Sequence, residues 1–195
     1  MPRIAEIKRK TKETDISIEL NIDGTGQTSI DTGVGFFDHM LTLFGRHSLF
    51  NLSITCKGDL DVDAHHTVED VGICLGNAIS KAIIDKAGIK RYGTFFVPMD
   101  EALVMCSLDF SGRGMLVIDM NPGKENIGNF DTELCPEFFR ALAHNAGINL
   151  HIKQLNGSNA HHIIEAAFKA CARAMRQALE IDEKEIGIPS TKGML

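Results

Sequence analysis

The chain has no cysteine pair at metal-binding or redox spacing, no apolar stretch long enough to cross a bilayer, and no surplus of positive charge. Its five cysteines, Cys56, Cys74, Cys106, Cys135 and Cys171, are odd in number and scattered, and no two form a Cys-x-x-Cys. That excludes a disulfide framework and a thiolate metal site, and it fits reduced thiols in the cytoplasm. No run approaches the roughly 18 apolar residues of a membrane span, and the N-terminus alternates charge and apolarity without a hydrophobic h-region. Neither a signal peptide nor a transmembrane helix is expected. The formal net charge of −6 argues against nucleic-acid or membrane partners while leaving room for a local basic pocket. Nucleotide fingerprints are missing too: Gly24-x-Gly26 and Gly33-x-Gly35 lack the remaining residues and read as turns. There is no His-Glu-x-x-His, and the reversed zinc-peptidase pattern fails because Asp70 and Ala166 follow the glutamates.

What is present is a histidine doublet used twice, His65-His66-x-x-Glu69 and His161-His162-x-x-Glu165. Asp63 is a plausible N-cap, so the first copy opens a helix. On a helix, residues four apart lie on one face, about 40° apart, whereas neighbours differ by about 100°. His65 and Glu69 therefore suit one ion, and His161 and Glu165 another. His66 and His162 point elsewhere. The economical arrangement is exchange, in which each helix chelates one ion and gives its remaining His to the other. A lone helical His is usually solvated or hydrogen-bonded, but two identical doublets, each leading into an apolar helix, make that bland reading a poor one.

The duplication extends over the chain. Glu19–Asp31 aligns without gaps on Ser107–Asp119 at an offset of 88, which sets Arg3 against Arg91 and Glu13 against Glu101. After an insertion around Asn121–Gly128, residues 39–54 face 137–152 at an offset of 98, and the doublets lie at 96. A unit of β-β-β-α-β-α has been used twice, residues 1–88 and then 89–195 with a C-terminal tail. The expectation is an α+β protein, each half a mostly antiparallel or mixed sheet with helices on one face. Alternating Ile16, Ile18, Leu20 and Ile22 form a strand, Asp23–Gly26 a hairpin turn into Gln27–Asp31, and Ala64–Lys86 a long helix capped at Gly88.

If the halves contribute equivalent ligands, Glu137 answers to His39. One site is then His39, His66, His161 and Glu165, and the other His65, Glu69, Glu137 and His162. His144 is the rival to Glu137 on the same helix, but the alignment pairs it with Arg46, which cannot ligate. Nitrogen and oxygen donors without sulfur suit manganese or iron with six-coordination better than a closed structural zinc. Four protein ligands leave positions open, which points to catalysis or ligand exchange. A metal-storage protein and a dinuclear phosphohydrolase are the alternatives.

Phe37-Asp38-His39-Met40, Asp63–Asp70, Ser111-Gly112-Arg113, Asn159–Ala166 and Pro189-Ser190-Thr191-Lys192-Gly193 together resemble imidazoleglycerol-phosphate dehydratase of histidine biosynthesis. The resemblance covers nearly the whole chain. It implies a manganese pair (Fe2+ or another divalent ion being possible) and twenty-four identical subunits with sites between them. The implied reaction is dehydration of imidazole glycerol phosphate to imidazole acetol phosphate, with the ring held as a metal-bound imidazolate. It implies acid/base work by Glu13, with His65 and Glu165 in the catalytic set. Substrate contacts are implied for Glu13, His39, His47, His65 and His161. Arg91, Arg113, Lys169, Ser190 and Lys192 are implied for the phosphate, which guanidinium forks pair with bidentately. The chain departs from the family pattern at Glu137-Phe138-Phe139, where most members have a metal-binding His.

Overall fold

The computed structural model describes residues 2–195. The first half runs β1 (Ile4–Lys10), β2 (Thr14–Asn21), β3 (Thr28–Asp31), α1 (Gly35–Ser48), β4 (Asn51–Gly58) and α2 (His65–Ile83). The second runs β5 (Tyr92–Met99), β6 (Ala102–Asp109), β7 (Met115–Asp119), a small hairpin β8 (Asn126–Ile127) and β9 (Phe130–Asp131), then α3 (Leu134–Ala146), β10 (Asn149–Asn156) and α4 (Ala160–Leu179). Strand order is β1-β2-β4-β3 in one sheet and β5-β6-β10-β7 in the other, the same topology twice. The insertion in the second half is the β8–β9 hairpin. The chain is an internally duplicated α+β protein.

One local expectation fails. Asp23–Gly26 does not fold β2 back on β3 as a hairpin; β3 pairs with β4 in parallel, Thr28 opposite Leu52 through Asp31 opposite Thr55, and β4 lies between β2 and β3. A parallel pair needs a crossover, and α1 supplies it. Residues 22–27 therefore pass over the start of β4, where Asn51 Oδ1 accepts the amides of Thr25 (2.8 Å) and Gln27 (3.1 Å). A Cβ on Gly24 would sit 2.4 Å from the Asn51 nitrogen, so no side chain is tolerated there. The composition of the turn was legible, but its direction depends on where β4 inserts.

β2 alternates buried Ile16, Ile18 and Leu20 with exposed or half-buried neighbours, so each sheet has one covered face. Helices α2 and α4 lie across β1–β2 and β5–β6 respectively, and the halves join through α1 against α4 and α2 against α3. One continuous core results, in which Phe37, Phe130, Phe138, Phe139 and Phe168 stack between helices. Each such buried ring is worth about 1.5–3 kcal/mol of transfer free energy. Helix α2 stops at Ile83, short of Lys86, because Ile84 and Lys86 take φ of 61° and 60°. Gly88 (φ 69°) bends the linker to the second half and its amide donates to Gly187, so it is a joint between halves and not the helix cap.

Candidate metal and substrate site

His39 on α1 and His161 and Glu165 on α4 converge where those helices touch. Glu165 Oε2 lies 3.3 Å from His39 Nε2 and 3.1 Å from His161 Nε2, and one ligand atom from each residue falls within 4.8 Å of the others. Glu165 is buried and its other oxygen accepts from Lys169 Nζ at 2.5 Å. Burial pushes that carboxyl up, but the Lys169 ammonium and the two imidazoles outweigh it and hold it below the usual carboxylate range. Phe36 sits edge-on to His161, ring centroids 5.0 Å apart. A buried carboxylate with two imidazoles, nitrogen and oxygen donors only, fits a divalent cation.

Two of the three symmetry-related residues line a cavity of about 810 Å³ at the other interhelical contact. His65 at the start of α2 and Glu137 on α3 both line it, with Asp63, Asp131 and the side chains of the inserted hairpin, Asn126 and Asn129. Glu69 is half-buried one turn after His65. Asp63 is not the cap expected of it, since Ala64 takes that position without a side-chain bond; Asp63 Oδ1 instead accepts the His65 amide at 2.7 Å from one residue ahead. Glu137 is ion-paired to Arg140 in the same helix. His144 is elsewhere, with Nδ1 3.2 Å from the Gly114 carbonyl.

His66 and His162 do not join either group within the chain. His66 Nδ1 lies 3.0 Å from Asp59 Oδ2, and its Nε2 is 4.0 Å from Glu13 Oε1. His162 Nδ1 lies 2.7 Å from Glu101 Oε2, and its Nε2 is 3.5 Å from Asp100. In each case a carboxylate holds Nδ1 and raises the proton affinity of the ring, Asp59 for His66 and Glu101 for His162. The exchange inferred from the doublets is thus not completed in one chain, because both rings are engaged by carboxylates outside the two interhelical groups.

Glu13 and Glu101, equivalent in the repeat, differ in state. Glu101 is saturated by His162 and by the amides of Asn159 (2.8 Å) and Ser158 (3.1 Å), with its carboxyl held down to about 2, first by His162. Glu13 is exposed and its nearest charged neighbour is His66. Only Glu13 has a carboxylate free to exchange a proton with a ligand.

The cations separate into two places. Arg91, Arg113, Ser190 and Lys192 line an open cavity of about 1090 Å³. Within it Arg91 is already committed, forked on Asp109 (2.7 and 3.1 Å) and donating to the Pro189 carbonyl at 2.8 Å, which ties the C-terminal tail to the second sheet. Lys169 is not there; it stands with Glu165, two turns along α4 from His161. Half-buried His47, two turns after His39 on α1, is held below the usual imidazole range by burial and then by Lys169 and Arg173. His47 and Lys169 therefore belong with the His39 group.

A profile of the imidazoleglycerol-phosphate dehydratase family matches residues 32–175. Imidazoleglycerol-phosphate dehydratase of Thermoanaerobacter pseudethanolicus is 63% identical over 193 residues, 99% of this chain and 100% of that protein. That of Acetivibrio thermocellus is 60% identical over 195 residues, all of both chains. The crystal structure of the Staphylococcus aureus enzyme superposes with a TM-score of 0.84 at 43% identity, covering 92% of this chain and 99% of that one. The chain belongs to the imidazoleglycerol-phosphate dehydratase family. It is an enzyme, a lyase with the dehydratase function of histidine biosynthesis.

Within this dehydratase fold, sequence reasoning missed Asp59 altogether and left Glu101 without a role. Asp59 follows β4 at a position whose repeat counterpart is Gly157, so the alignment offers no signal for it. Glu101 was visible as the partner of Glu13 in the repeat, but its use as a holder of His162 depends on how the β5–β6 turn meets α4. The lining residues of the inserted hairpin were also missed, since an insertion has no counterpart to compare.

Proposed function

We propose that the chain dehydrates imidazole glycerol phosphate to imidazole acetol phosphate at two divalent metal ions per subunit, manganese being the first candidate. One ion would be held by His39, His161 and Glu165, the other by His65, Glu69 and Glu137, with His66 and His162 donated between subunits of a large homo-oligomer. The observation that carries the reading is the meeting of His39, His161 and Glu165 donor atoms within 4.8 Å, with the repeat counterparts His65 and Glu137 lining one cavity at the other interhelical contact. Bound metals would act as Lewis acids that favour loss of the imidazole N–H proton, so that the ring can supply the electron pair that expels hydroxide from the carbon beside it. Five unpaired, buried cysteines support a reducing, cytoplasmic setting.

The protein's own groups do the rest. The product keeps a methylene beside the ring and a carbonyl one carbon further out. The hydroxyl lost is therefore the one beside the ring, and the proton lost comes from the next carbon. Glu13, unbonded and beside His66, takes that proton, and the resulting enol becomes the ketone on reprotonation. Arg113, Lys192 and the Ser190 hydroxyl bind the phosphate, while the Arg91–Asp109 fork holds the tail that carries Ser190 and Lys192. Lys169 gives the His39 group a cationic flank for the anionic substrate, and His47, kept from taking up a proton by burial and by Lys169, stands beside it as a neutral imidazole. The test is incubation of metal-loaded protein with imidazole glycerol phosphate, following enolisable ketone and free phosphate together. Ketone without phosphate is expected; phosphate release without ketone would make the chain a phosphohydrolase.

A further inference from the structure

The two halves differ in chemistry at the turn that opens their second strand. Thr14, the first residue of β2, is buried, and its hydroxyl donates to the buried Asp70 on α2 at 2.5 Å. Arg9 pairs with the same carboxylate. Thr11 Oγ1 accepts the amides of Glu13 (3.1 Å) and Thr14 (3.0 Å), and the Glu13 carbonyl accepts the Asp59 amide at 3.1 Å. The backbone of Glu13 is thus fixed on both sides while its carboxylate stays exposed, 4.0 Å from His66 Nε2.

By the repeat offsets, Arg9, Thr14 and Asp70 correspond to Val97, Ala102 and Ala166. Both alanines are buried, so the same turn packs on the same helix without a polar group between them. There it is the Glu101 carboxylate that anchors the turn, on the Ser158 and Asn159 amides and His162. Only the Asp70 side of this pair is buried, Arg9 being 36% exposed, and even a fully buried pair is commonly no more stabilising than apolar residues of similar volume. Stability therefore does not explain why the polar brace exists in one half only. It exists in the half whose turn carries a free carboxylate.

We propose that Asp70 is a positioning residue for the dehydration: through Thr14, with Arg9 balancing its charge, it sets the β1–β2 turn against α2 so that Glu13 stays beside His66 without being bonded. The proposal rests on the reading of Glu13 as the proton-transfer group. A shift of about 1 Å in a reacting group costs on the order of 10²-fold in rate, so a loosened turn is read in kcat.

The test uses the metal-loaded, assembled enzyme with metal content per chain as a second readout. Arg9→Val/Thr14→Ala/Asp70→Ala imports the whole apolar set of the second half, and Thr14→Val removes only the hydroxyl. Both are expected to lower kcat about 10-fold or more, with KM within about 2-fold and metal content unchanged, and Thr14→Ser is expected to restore turnover. Should the triple variant fail to fold, the Thr14 pair decides alone. In a Glu13→Gln background the further loss from Thr14→Val should vanish. Unchanged kcat in the variants, metal loss in step with kcat, or no restoration by serine overturns the proposal. If the loss adds in full to that of Glu13→Gln, the brace acts elsewhere and the proposal falls while the reading of Glu13 stands. Normal turnover of Glu13→Gln itself overturns that reading and the proposal with it.

Discussion

Individual side chains decide what this site can bind. Glu137 and His144 lie on one helix, seven residues apart, and only Glu137 lines the cavity that holds His65. Glu137→Ala is expected to reduce bound metal from two ions per chain to one, Glu137→His to restore the second, and His144→Ala to leave both, as read by elemental analysis. The cysteines give a residue-scale prediction of a different kind. Burial pushes the Cys56 and Cys74 thiols up to about 11, that of Cys135 higher still, and that of Cys106 well above the usual thiol range. The folded state keeps them neutral while an unfolded thiol ionises from about pH 8.5. Their contribution to stability is therefore intact below pH 8.5 and lost as pH rises towards 11. Urea midpoints should fall across that window, less steeply in Cys56→Ala/Cys74→Ala, and the native protein should resist thiol reagents at pH 8.

At the scale of elements, helix contacts bring the halves of each ligand set together. Gly72 and Gly76 lie on the α2 face that meets α3, where an added Cβ would come within 2.8 Å of the Phe138 and Leu142 carbonyls respectively. This close approach holds the helix of His65 and Glu69 against the helix of Glu137. Gly72→Val should cost about 1–3 kcal/mol by overpacking. It should also weaken the metal site at that contact more than the one on α1 and α4, measured as a lower Tm and as loss of one ion before the other on chelator titration. The elements themselves were mostly legible, because alternation of period two and apolar stripes of period 3.6 are local signals. The pairing of β3 was not. Asp23–Gly26 reads as a hairpin turn in isolation, and only the insertion of β4 beside β2 makes it a crossing loop.

For the whole molecule, His66 and His162 are the informative residues, since their Nε2 atoms lie beside Glu13 and Asp100 and join neither interhelical group. The proposed donation of these rings between subunits would tie metal content to assembly. Metal removal is expected to split a large particle into smaller units and metal return to rebuild it, followed by light scattering. A stable monomer that retains two ions per chain would contradict the exchange of ligands.

The sequence by itself determined the duplication, the α+β class, the doublets and their division between faces, and the family motifs that name the chemistry. These follow from residue identity and periodicity, which act over a few residues or repeat at a fixed offset. Tertiary structure decided the rest. It placed His39 against Glu165, 126 residues away, put Asp59 and Glu101 on the imidazoles of His66 and His162, and kept Lys169 apart from Arg113 and Lys192. It also left Glu13 free while saturating its repeat counterpart, because the residues that bond a carboxylate come from whichever elements packing brings beside it, and no local pattern in the chain records that.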